Sequence, residues 1–312
     1  MNLYFFIFEF GAIFAFLLLL YRERKNRRMV EILILAFVYG IILEAFNIYM
    51  SQQIYSYSPV FVMEIFDVPL AIGAGWAVIY YLSWSVAKRY NLAWWQSPFL
   101  MALIALSYDI AIDAVAIRLG FWSWKLPLNE EWFGVPYENF FGWLAVVWTF
   151  SLLINLSFQN FIKLKAQKII RCSSLVISPL LLVVQIIIFE NLSAILSDKF
   201  TFGEVVALYN LQERSYVYLP EVQATKGALF FVLILSLSFF CAVWIGKNKN
   251  KPRGELEKFP IMLSTSIHLM FLFFLIASGV YKDLPALLLI SIATFGLNIL
   301  LNYYPIGSVK IK

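Results

Sequence analysis

The sequence predicts an all-α polytopic membrane protein of about nine transmembrane helices, with two helical hairpins in its N-terminal half related as a parallel repeat. Composition is the first reason. Of 312 residues, 62% are hydrophobic, 18% aromatic and only 14% charged, whereas a soluble domain is about 45–50% apolar and about 25% charged. The second is length: apolar stretches of about 20 residues recur along the whole chain, enough for helical spans and too long for barrel strands. The third is where the charge sits. The net charge of +5 is confined to short loops, where it reads as a topology signal and not as a nucleic-acid surface.

The spans fall at roughly 3–21, 30–50, 67–87, 96–117, 139–161, 173–193, 226–246, 259–280 and 284–303. The first is followed by Arg22, Arg24, Lys25, Arg27 and Arg28 with no small-residue cleavage site, so it is a span and not a cleavable signal peptide. Basic loops recur at 22–28, at Lys88 and Arg89, around Lys163, Lys165, Lys168 and Arg171, and between Lys247 and Lys258. Those between them, 51–66, 118–138, 194–225 and 281–283, are poor in Lys and Arg or acidic. By the positive-inside rule the N-terminus is outside, and the C-terminus with Lys310 and Lys312 is cytoplasmic. The 194–225 loop is long enough to hold a surface helix. One membrane domain, 1–312, is expected, with a duplicated core at 30–161 (hairpins 30–87 and 96–161) and accessory helices over 173–312.

A shift of 67 residues superposes the two hairpins without a gap. Tyr55, Ser56 and Tyr57 fall on Trp122, Ser123 and Trp124, Glu64 on Glu131, Phe66 on Phe133, Val68 and Pro69 on Val135 and Pro136, and Gly75 and Trp76 on Gly142 and Trp143. Both hairpins turn on the same side, so the repeats are parallel about an axis along the membrane normal, with room for a site between them.

Glu44, Asp109 and Asp113 sit within apolar spans, where each acid costs about 2.5–3.5 kcal/mol on insertion scales. Asp109 and Asp113 are four apart, so one helical face presents both carboxyls to a shared proton or ligand. Glu44, with Asn47 on the adjacent turn, lies in the same leaflet under this topology. The bland alternative is a packing pair hydrogen-bonded to neighbouring polar side chains. Glu64, Asp67, Glu130 and Glu131 are expected in solvent at the interface. Trp122, Trp124, Tyr55 and Tyr57 form two aromatic clamps beside the acids, and aromatic faces stabilise cations. Trp76 and Trp143, just inside their spans, fit either the clamp or an interfacial belt. His268, the single histidine, reads as a core residue, with a proton relay second. Cys172 and Cys241 fall near the cytoplasmic face and are expected as free thiols. No zinc spacing, glycine-rich phosphate loop or serine-nucleophile signature is present.

The ordered set Asp109-x-x-x-Asp113, Gly120 to Trp124, Phe133 to Pro136, and Asn139-Phe140-x-Gly142-Trp143 resembles the carotenoid biosynthesis membrane proteins typified by carotenoid 1,2-hydratases, including bisanhydrobacterioruberin hydratase. Glu44, the Tyr55–Tyr57 turn, Val68, Pro69 and Trp76 also fit, so the resemblance covers about residues 40 to 150. The stretch Val-Pro-Tyr-Glu-Asn-Phe-Phe, with Pro136 and Glu138, is also similar to the Pro-x-Glu-Glu-x-x-Phe stretch of small membrane lycopene β-cyclases. Asn139 replaces its second Glu, which favours the hydratase branch.

The resemblance implies a lipophilic carotenoid substrate within membrane lipid, no redox, nucleotide or metal cofactor, and other carotenoid-pathway enzymes as possible partners. Asp109, Asp113 and Glu44 would be catalytic. Trp122, Trp124, Tyr55, Tyr57, Trp76, Pro136, Glu138, Asn139 and Trp143 would contact substrate. Hydrating a terminal double bond requires a proton donor, a stabilised tertiary carbocation and a water. A carboxyl in an apolar site keeps its proton near neutral pH and is a suitable donor. A membrane prenyltransferase would require a second aspartate-rich motif holding magnesium and diphosphate. Only one such motif is present. A proton-coupled transporter would use the acids as a proton relay, and the parallel repeat is compatible with that, but the spans lack the paired Gly/Pro interruptions at mid-depth that would support it. A non-catalytic scaffold leaves these membrane acids without a role.

Overall fold

A computed structural model describes residues 2–50, 55–124, 126–199, 201, 219–248 and 257–303. Among these, nine helices are long and apolar enough to cross a membrane: α1 Leu3–Glu23, α2 Arg27–Met50, α3 Leu70–Ala87, α4 Ser97–Leu119, α5 Tyr137–Ser157, α6 Leu164–Leu196, α7 Pro220–Lys247, α8 Lys258–Ala277 and α9 Pro285–Tyr303. The expected surface helix in the 194–225 loop, the 249–256 loop, Lys310 and Lys312 lie wholly or mostly outside the described residues.

Local chemistry sets the helix ends. The Tyr4 N–H donates to Asn2 Oδ1 at 3.2 Å, capping α1. α4 starts with Pro98 in its first turn, where a missing N–H costs nothing, and stops at Gly120, whose φ of 75° is the left-handed cap that glycine adopts freely. α5 starts directly after Pro136. Several span bounds differ from expectation, and two of the differences have a plain cause. α3 begins at Leu70 because the preceding residues fold into a hairpin. α6 runs 33 residues, about 50 Å against a hydrocarbon core of about 30 Å, so its basic first turns extend beyond the apolar stretch.

Burial ranks the helices. In α3 and α4, 78% and 83% of the span residues are buried, against 11% in α7, so α3 and α4 form the centre. α2 packs on α3, α4 on α5, α1 on α3, and α8 and α9 close the bundle against α4.

Four strands of two or three residues lie at one end of the bundle, the strand side. β1 (Tyr55–Tyr57) pairs antiparallel with β4 (Trp122–Trp124), in register Tyr55↔Trp124, Ser56↔Ser123 and Tyr57↔Trp122. β2 (Glu64–Ile65) and β3 (Val68–Pro69) form a hairpin turning through Phe66 (φ 55°) and Asp67 (φ 61°). The bridge Trp132↔Val135 turns likewise through Phe133 (φ 53°) and Gly134 (φ 83°). Two consecutive positive φ values make both turns type I′, a strained choice for phenylalanine. These turns are equivalent under the 67-residue shift. Equivalent residues also meet: Ser56 Oγ lies 3.2 Å from Ser123 Oγ, and Trp76 stacks on Trp143 with ring centroids 4.3 Å apart. Contacts of this kind are what a two-fold axis between the hairpins gives to residues lying beside it.

Candidate active site

A cavity of about 420 Å³ lies between α1, α3 and α8, and its strand-side end reaches the acids of α2 and α4. Asp109 and Asp113 are both buried, one helical turn apart on α4. A single amide joins them: Asn139 Nδ2, in the first turn of α5, donates to Asp109 Oδ2 at 3.1 Å and to Asp113 Oδ2 at 2.5 Å. Asp109 Oδ1 is buried and receives no hydrogen bond among the described residues. The Trp122 indole also reaches the Asp113 carboxyl.

Glu44 faces the pair from α2. Trp76 Nε1 donates to its Oε1 at 3.0 Å, and Tyr57 and Asn47 also reach its carboxyl. The Tyr55 and Tyr57 phenols are held well above their ordinary pKa, first by burial and then by Glu44, so Tyr57 stands as a donor toward that carboxyl. Trp76 sits where it does because Gly40 lacks a side chain: a Cβ there would lie 2.6 Å from the Trp76 ring. The result is three acids at one end of an otherwise apolar chamber, surrounded by the rings of Trp76, Trp122, Trp143, Tyr55 and Tyr57.

A family model for carotenoid biosynthesis proteins matches residues 1–208, two-thirds of the chain. The chain belongs to the carotenoid biosynthesis protein family. No curated protein and no solved structure matches it. The family match ends before α7, so α7, α8 and α9 lie beyond it.

Of the site residues expected from the sequence of this family member, the cavity brings together Glu44, Tyr55, Tyr57, Trp76, Asp109, Asp113, Trp122, Asn139 and Trp143. Three expected contacts are corrected. Trp124 packs against Tyr55 with the rings tilted and their centroids 4.2 Å apart, and it is not on the cavity wall, because its β1 partner stands in front of it. Pro136 serves as the N-cap of α5. Glu138 turns to the far side of α5, where its Oε1 pairs with the buried Lys226 of α7. Charge pairing decides that side, since a buried lysine needs a partner.

Glu64, Asp67 and Glu130 are exposed, as expected. Glu131 is not simply solvated: it accepts the Tyr137 N–H at 2.7 Å at the start of α5, and burial holds its carboxyl above the usual range. His268 is buried, stacked on Tyr108 at 4.8 Å, and does not line the cavity. Cys172 and Cys241 are free.

Sequence reasoning missed two contributors. Glu9, fully buried in α1, accepts the Val62 N–H and, at 2.8 Å, the Met63 N–H. It pins the loop whose Phe61 packs on Phe5 and Phe121 at the strand-side end of the molecule. An acid inside an apolar span marked Glu44, and the same signal marks Glu9. The second contributor is α8, which supplies one long wall through Phe259, Leu263, Ile267 and Phe271; nothing in its own sequence signals that.

Proposed function

We propose that this protein adds water across the terminal C=C of an acyclic carotenoid end group by acid catalysis. The observation that carries the reading is the Asp109–Asn139–Asp113 bridge at the aromatic-walled end of an apolar cavity. Two carboxyls held by one amide in low dielectric do not both ionise cheaply, so the pair holds a proton between them. Asp113, beside Trp122, donates it to the CH carbon of the isopropylidene group. The C=C electron pair forms the new C–H bond and leaves a tertiary cation on the neighbouring carbon. The faces of Trp122, Trp76 and Trp143 stabilise that cation. A water oriented by Glu44 attacks it, forming the C–O bond, and its surplus proton returns to the aspartate pair. Protons balance and no redox step occurs.

Cyclisation would use the same cation, but Glu138, the residue that resembles the cyclase stretch, is tied to Lys226 away from the cavity. That supports hydration over ring closure. The orientation that goes with this reading places the N-terminus outside, the C-terminus in the cytoplasm and the acids in the outer half of a cell membrane. Expression in a host that accumulates lycopene, followed by pigment mass analysis, tests it. Products gaining water are expected. An isomeric, ring-containing product would show cyclisation instead, and unchanged pigment would refute both.

A further inference from the structure

We propose that the slot between α1 and α8 is the channel by which one end of a linear, headgroup-free isoprenoid chain leaves the bilayer and reaches the acids. On this view α8, beyond the family match, discriminates among substrates. The identity of the occupant rests on the hydration reading; the slot itself rests on geometry.

The cavity is long and narrow. Along α8 its wall runs from Phe259 to Phe271, and 12 residues at about 1.5 Å each make about 18 Å. Apart from Glu44, Asp109 and Asp113 at one end, no charged side chain among the described residues lines it. The occupant is therefore apolar along its length, with its reacting group at the tip.

The slot is closed at both ends and open midway. At the strand side Tyr4 packs edge-on against Phe274 (5.4 Å) and Phe8 against Phe271 (6.0 Å). At the opposite end Arg22 pairs with Glu257 at 3.4 Å and lies 4.6 Å from the Phe259 ring. Between these closures Gly11 and Phe14 of α1 and Met262 and Ser266 of α8 line the cavity and are also exposed. Gly11, Phe14 and Ser266 lie well inside their spans, where hydrocarbon surrounds the protein, and Met262 lies one turn from the start of α8. A phospholipid chain entering there would drag its headgroup from the interface to mid-depth, at the cost of burying unpaired polar groups. A pure hydrocarbon polyene carries no such penalty, and the part that does not fit the channel stays in the bilayer. The space beside Gly11 is open, since a Cβ there would meet nothing within 4 Å. Met262 and Met270 give α8 an adaptable surface against the chain.

The test uses full-length protein in nanodiscs containing lycopene. It measures polyene retained per protein by absorbance and product by mass. Gly11→Trp and Ser266→Trp fill the doorway. Gly246→Trp on α7 is the control, since that glycine is exposed and equally unencumbered but lies off the cavity. Both slot variants are expected to lose at least about tenfold in retained polyene and in turnover, with the control matching wild type. If either fails to elute as the folded species, Gly11→Leu and Ser266→Leu replace them. Folded slot variants that retain and convert the polyene like wild type overturn the channel while leaving hydration standing. Wild type that retains polyene, loses it in the slot variants, and forms no hydrated product supports the channel and sinks the hydration reading. Wild type that retains acyl lipid but no polyene overturns the proposal.

Discussion

Replacing Asp113 by asparagine removes one acidic proton while keeping shape, which makes it the most direct probe of the aspartate pair. The Asn139 amide, 2.5 Å from Asp113 Oδ2, still finds a carbonyl oxygen at the same position in Asp113→Asn. With the proton of the pair on Asp113 the bond is neutral in both forms and changes by no more than about 1 kcal/mol. Thermal stability should therefore shift by no more than a few degrees, at about 2–4 °C per kcal/mol for a large domain. Turnover behaves differently. General acid catalysis contributes about 10²–10⁴-fold, or about 2.7–5.4 kcal/mol of barrier. Initial rates of water addition to lycopene in nanodiscs should fall by at least about 10², with pigment binding retained. Asp109→Asn should cost less, since Asp109 lacks the Trp122 contact. A folded Asp109→Asn, Asp113→Asn double variant that hydrates at near wild-type rate would refute the mechanism.

Further expectations concern the cation, the packing, the topology and the charged closure. Trp122→Leu should lower turnover by about 2- to 30-fold, the range of about 0.5–2 kcal/mol of cation–π stabilisation; an equal loss in Trp124→Leu, which sits behind Tyr55, would contradict the placement of these rings. Gly40→Val forces a side chain into the Trp76 ring and should destabilise by about 1–3 kcal/mol while loosening the Trp76–Glu44 bond, whereas Gly75→Ala, which meets nothing within 4 Å, should leave the melting temperature unchanged. A cysteine at exposed Asn129, with Cys172 and Cys241 replaced by serine, should react with an impermeant maleimide from outside intact cells; labelling only after permeabilisation would invert the orientation. Although burial raises the Glu257 carboxyl, Lys88 and Arg22 outweigh it and hold it below its ordinary value of 4.5. Its depressed pKa means that the stabilisation is present above about pH 4.5 and is lost as pH falls through the folded value. Glu257→Gln should accordingly lower the melting temperature at pH 7 and converge on wild type in acid, as followed by thermal unfolding.

Nine spans, the acids Glu44, Asp109 and Asp113 within them and an internal similarity at a 67-residue shift were legible in the chain because each is read from residue types in order, without knowing which helices touch. Hydropathy over about 20 residues does not depend on neighbours, and a carboxylate in such a run is conspicuous wherever the helix packs. The self-pairing of Ser56 with Ser123 and of Trp76 with Trp143 gave the repeat a physical meaning that sequence alignment alone lacked. Tertiary structure decided which helices enclose the chamber. α1 and α8 lie outside the duplicated 30–161 core and far apart in sequence, yet both supply walls, while Trp124 and Glu138, inside that core, do not. The reason lies in the solvent. In water an amphipathic face tells which side of a helix is buried. In lipid both faces are apolar, and van der Waals packing and scattered polar contacts choose the partners. Met262, exposed beside the slot, and Leu263, buried in its wall, are both apolar residues of one span; only the arrangement of the other helices distinguishes them.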